Sequence, residues 1–155
     1  MRNAAGRGFT LVELLVSMAL VSILLMLAAP SFSSAFVRAR VEGTTNELGA
    51  DLQYARSEAV RRRADVVLAS NAGGNGYSIV SGATTIKTVA LAPGLTVTPS
   101  VSLTFSAMRA TASNAGNFNI ADARGTITLR AATDLMGRVQ MCSTNAAVKG
   151  YPSCT

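Results

Sequence analysis

A chain of 155 residues has room for one globular domain. Hydrophobic residues make up 49% and charged residues 14%, where soluble proteins carry about 25% charged, which excludes a disordered polymer and implies apolar sequence outside an ordinary core. The formal charge is +6, twelve of the fourteen cations are arginine, and histidine is absent, which removes most histidine-based acid–base catalysis and histidine-containing zinc sites.

The first predicted element is membrane-length. No charge occurs from Leu14 to Val37, and the apolar stretch from Phe9 to Ala29 is 21 residues. At ~1.5 Å per residue that is roughly 31 Å of helix, enough for the ~30 Å hydrocarbon core of a bilayer and longer than the ~7–15-residue apolar part of a removable secretory signal. Arg2 and Arg7 precede it and place the N-terminus on the cytoplasmic side, although Arg38 and Arg40 follow it. A secretory signal cut after Ser33-Ser34-Ala35 is the competing reading. Glu13 stands against it, because an acid inside a membrane helix costs ~2.5–3.5 kcal/mol and usually marks function.

Gly8-Phe9-Thr10-Leu11-Val12-Glu13-Leu14-Leu15 resembles the class III signal of type IV pilins and type II secretion pseudopilins. The resemblance implies a leader at 1–8, cleavage by prepilin peptidase between Gly8 and Phe9, and N-methylation of Phe9. It makes Glu13 the acid that pairs with a neighbouring subunit's terminal amine during assembly. Pro30 falls where many pilins carry a proline, and should kink the helix by removing a backbone donor.

Beyond Pro30 the spine is expected to continue over 31–63. Val41, Thr45, Leu48, Leu52, Ala55 and Ala59 repeat at spacings of four and three, a single stripe on a helix. Arg38/Glu42 and Glu58/Arg62 are expected as i,i+4 pairs on the exposed side. Arg61-Arg62-Arg63 suits a helix C-terminus. Gly43 and Gly49 each cost about 1 kcal/mol relative to alanine.

From residue 64 to 155 the pattern predicts a β-rich domain. Strand-like runs occupy 64–70, 77–80, 84–91, 95–98, 101–105, 126–129 and 139–142, rich in Thr, Val and Ile and broken by Gly and Pro. The small and polar stretch 107–123 reads as a long loop. The implied architecture is α+β: one long helix, its first half transmembrane, packed on an antiparallel sheet domain. Leu52-Gln53-Tyr54-Ala55-Arg56-Ser57-Glu58-Ala59-Val60-Arg61-Arg62 and Gly137-Arg138-Val139-Gln140 are similar to the spine end and the C-terminal Gly-Arg motif of the FimT/GspH-type minor pilins.

Catalytic and cofactor motifs are missing: Gly76-Tyr77-Ser78-Ile79-Val80 fails as a nucleophile elbow, and Gly73-Gly74-Asn75-Gly76 reads as a hairpin turn rather than a phosphate loop. We therefore expect no enzyme, cofactor or metal. Cys142 and Cys154 enclose eleven residues, and their disulfide would contribute roughly 3 kcal/mol in an oxidising compartment. Some members of the family bind DNA through a Gly-Arg-x-Arg pattern; here Gln140 replaces the second arginine, and Arg138, Lys149, Arg124 and Arg130 are the candidate contacts.

The resemblance thus implies a minor pilin, held in the inner membrane with its C-terminal domain in the periplasm, then joined to other pilins in a filament or tip complex. The alternatives are a DNA-binding pilin of natural transformation and a type II secretion pseudopilin.

Overall fold

The computed structural model describes residues 10–99, 102–145 and 148–154, the side chains of 28–31 and 99 excepted. The chain divides into two units, Met1–Phe36 and Val37–Thr155. The helix α1, Leu11–Arg62, contributes to both.

Both ends of α1 carry local stop signals. Thr10 is the N-cap: its Oγ1 accepts the Glu13 N–H at 3.2 Å, and its carbonyl accepts the Leu14 N–H at 3.2 Å. At the other end Arg63 adopts a left-handed φ of 53°. The Ala64 N–H then reaches back to the Ala59 carbonyl and the Arg63 N–H to the Val60 carbonyl, a Schellman closure built on arginine instead of glycine.

In the second unit the predicted stripe is the buried face of α1: Val41, Thr45, Leu48, Leu52, Ala55 and Ala59 have no exposed surface. It packs on two four-stranded antiparallel sheets rather than one. The first has the order β3-β2-β1-β5, from Thr84–Ala90, Gly76–Ser81, Val66–Ser70 and Leu103–Phe105. The second has the order β4-β6-β7-β8, from Leu95–Pro99, Gly116–Asp122, Thr128–Thr133 and Val139–Ser143. Tyr77, Phe105 and Phe118 are the largest side chains of the shared core.

Two expectations need correction. The stretch read as a loop contains β6, whose residues alternate between buried and half-exposed from Gly116 to Asp122. Phe118 and Ile120 face the core, and the two flanking strands supply backbone partners that outweigh the poor strand propensity of Asn117 and Asn119. Glu58, expected on the exposed side, is 4% exposed. Arg61 and Arg62 fold over it, so the acid is buried beneath its own cations.

The two sheets reach α1 through specific contacts. Asp51 accepts the Tyr77 hydroxyl at 2.8 Å and the Lys87 ammonium at 2.7 Å, tying β2 and β3 to the helix. The bond to Asp51 raises the Lys87 pKa, and burial followed by the same carboxylate raises that of Tyr77. On the other side the flexible end of the Met141 side chain of β8 lies over Gly49, bringing the second sheet against the helix.

Candidate functional site

Gly8 and Phe9, the expected cleavage and methylation positions, lie outside the described residues, as does the side chain of Pro30 with its expected kink. The helix that starts after them is on view. From Leu11 to Leu27 every large apolar side chain is at least half exposed, from 51% at Leu14 to 81% at Met26. An amphipathic helix would hide one stripe; this one is apolar on all sides, the pattern of a segment that meets lipid or other apolar helices. Its two polar hydroxyls are turned inward on the helix itself: Ser17 Oγ donates to the Leu14 carbonyl at 2.9 Å and Ser22 Oγ to the Met18 carbonyl at 2.8 Å. Hydroxyls satisfied this way cost little in an apolar medium.

Among the described residues no single helix is long and apolar enough to cross a membrane. Glu13 is exposed and stands third in the helix, so its carboxylate lies at the positive end of the helix dipole. Family resemblance gives Glu13 a partner in another subunit and passes over Thr10, although Thr10-x-x-Glu13 is the spacing of a capping box.

The C-terminal candidates are dispersed. Cys142 and Cys154 are joined in a disulfide. Arg138 is 73% exposed in its side chain, but its Nε donates to Asp134 at 2.7 Å and its N–H to the same carboxylate at 2.9 Å. These two bonds, backbone first, hold the Asp134 carboxyl below its usual range. Arg124 lies in the turn between β6 and β7, where burial would raise the Asp122 pKa but bonds from Ile127, Thr126 and Arg124 lower it. The two turns sit at opposite ends of β7, roughly 20 Å apart for a six-residue strand. Arg130 is in the middle of β7, and the Lys149 carbonyl accepts from Arg38 at 2.7 Å. Arg124 and Arg138 thus stand at the two ends of β7, with Arg130 on the strand between them.

The structure does gather the two spine and C-terminal motifs. Arg56 Nε donates to the Ala110 carbonyl at 2.8 Å, and a Cβ at Gly137 would lie 3.1 Å from both that oxygen and Arg56 Nε. Beside this contact Met108, Leu135 and Met136 are exposed, which composition alone did not signal. Among the described residues no group of three or more His, Cys, Asp or Glu could hold a metal ion.

Known proteins share both parts of this chain. Residues 44–148 match the family described as the type II transport protein GspH, and residues 3–29 match the prokaryotic N-terminal methylation motif. No curated protein matches the chain. Among solved structures, the type IV minor pilin FimU of Pseudomonas aeruginosa is similar at 27% identity and a TM-score of 0.58, covering 76% of this chain and 97% of that one. A second crystal form of FimU gives 28% and 0.55, covering 74% and 99%. The minor pseudopilin EpsH of the Vibrio cholerae type 2 secretion system has the same fold, with a TM-score of 0.58 at 10% identity over 67% of this chain and 97% of that one.

Proposed function

The chain belongs to the family of the type II transport protein GspH, within the minor pilins and pseudopilins, and from that premise we propose that it works as a minor subunit that joins or primes a type IV pilus. The N-terminal methylation motif implies membrane anchoring and pilus assembly. The observation that carries the reading is the exposed apolar surface of Leu11–Leu27 on a chain whose second unit has a complete core of its own. Such a surface has two apolar destinations, lipid before assembly and neighbouring helices after it.

In this reading prepilin peptidase cleaves between Gly8 and Phe9, and the new amine of Phe9 is methylated. Thr10 then starts the helix, and Glu13, three residues on, is the acid offered to a neighbour's amine. Pairing neutralises a carboxylate that would otherwise be costly in an apolar filament core. Before assembly the subunit is held in the inner membrane with its second unit in the periplasm, where the disulfide between Cys142 and Cys154 can form. The work is mechanical and structural; no bond is made or broken by this chain.

Intact mass and N-terminal sequencing of the protein from its native membrane test the reading. The expected mature chain begins at Phe9 and carries one extra methyl group. A start at Phe36 would instead establish a secretory signal and overturn it.

A further inference from the structure

The outer face of the second sheet carries a cleft of about 520 Å³, apart from the apolar surface of Leu11–Leu27. Its floor follows from the register. Ala132 lies directly opposite Asn117 on one side and Gln140 on the other, so a small side chain sits between two longer amides and leaves a hollow. In the next row Arg130 lies opposite Asn119 and Cys142. The disulfide from Cys142 holds Cys154, and with it Pro152 and Ser153, as the wall. A parallel bridge between Ser143 and Ser153, with the Ser143 N–H bonded to the Pro152 carbonyl at 2.8 Å, fixes that wall against β8.

Arg130 is half-buried, and its Nε donates to Asn119 Oδ1 at 2.9 Å. Among the described residues it makes no ion pair, and no acid lines the cleft. This sets it apart from Arg38, Arg61, Arg62 and Arg138, each of which rests on a carboxylate. A guanidinium aimed by an amide into a hollow with amide and hydroxyl groups, and with no anion of its own, is arranged for an anion from outside. The volume suits a ligand of one sugar or one small phosphate ester and is far too small for a duplex.

We infer that the cleft over Ala132 binds a small oxyanion, a carboxylate or a phosphate, through Arg130 with Gln140 and Ser153 beside it. The planar fork of Arg130 meets two oxygens at once, and the disulfide keeps the wall in place. The site is independent of whether the chain enters a pilus or a secretion system.

The test is a titration of the ¹⁵N-labelled full chain in neutral detergent with sodium phosphate and, separately, sodium glucuronate, each against sodium chloride at equal ionic strength. Saturable shifts at residues 130, 132 and 140 are expected with at least one of them, and the preferred anion identifies phosphate or carboxylate as the source. Arg130→Gln weakens binding by about tenfold or more. Ala132→Leu fills the hollow, keeps the cation, and has the same effect. Lys149→Gln leaves binding unchanged. Shifts that do not saturate, or that persist in Arg130→Gln, overturn the inference. So does a saturable response to duplex DNA with none to either small anion, which would make this face a nucleic-acid surface.

Discussion

Arg56 on the helix and Gly137 in the turn between β7 and β8 are fitted to each other: the arginine passes 3.1 Å from where a Gly137 Cβ would stand and ends on the Ala110 carbonyl. Gly137 also has a φ of 73°, and Ala110, whose oxygen receives the bond, has a φ of 53°. Helix, loop and turn are therefore closed by one arginine. Gly137→Ala meets both the left-handed backbone and the arginine, and should lower stability by roughly 1–3 kcal/mol. Thermal unfolding followed by circular dichroism reads the loss, and Arg56→Ala in the same background should relieve part of it, since the side chain crowding the new methyl is gone.

Glu58 gives the fold a defined acid sensitivity. Hydrogen bonds from Arg61, then Arg62, bring its pKa from 4.5 down to about 2. A carboxylate whose folded pKa is depressed contributes stability above its ordinary pKa, and that contribution is lost as pH falls from 4.5 toward about 2. Glu58→Gln should therefore be less stable than the parent at about pH 7, with the gap closing toward about pH 2. Unfolding midpoints across that range check it; a constant gap would mean that the glutamate acts by shape alone.

Arg63 sits in the left-handed position that ends α1, a place where glycine carries no steric penalty. Arg63→Gly should raise stability by about 0.5–1 kcal/mol, measured as the midpoint of thermal unfolding. Arg61 and Arg62 remain to oppose the negative end of the helix dipole.

Glu13→Ala should leave membrane insertion intact, because it makes the first helix more apolar. Removing one partner of a charge pair in an apolar surrounding costs a few kcal/mol, so recovery of the variant in sheared filaments should fall roughly tenfold or more. Undiminished recovery would reduce Glu13 to a residue of the helix's first turn.

Periodicity made the spine legible. Val41 through Ala59 announce one helical face by their spacing, and the whole stripe is buried. Strand β6 was hidden because Gly116, Asn117 and Asn119 are turn formers locally, and only pairing with β4 and β7 makes them extended. Glu58 and Arg62 were legible as a pair but not as a buried one: spacing on a helix gives the neighbour and not the depth. The Arg56–Gly137 fit and the Arg130 cleft join residues distant in sequence, so no local pattern could carry them. The N-terminal signal was legible for a different reason: it is one contiguous string of residues, and residues 3–29 match the prokaryotic N-terminal methylation motif.

The order of the strands has a consequence for how the second unit comes apart. The chain lays down β1 to β3 in one sheet, crosses to place β4 in the other, returns to add β5 beside β1, and crosses again for β6 to β8. Neither sheet is a contiguous piece of chain. No single cut can excise one and leave the other whole, so the two melt together rather than in turn. The same interleaving makes the ends of β4 and β5 poor places to insert foreign sequence, whereas the hairpin turn at Gly82, within one sheet and with open space around it, can be lengthened without unlacing either.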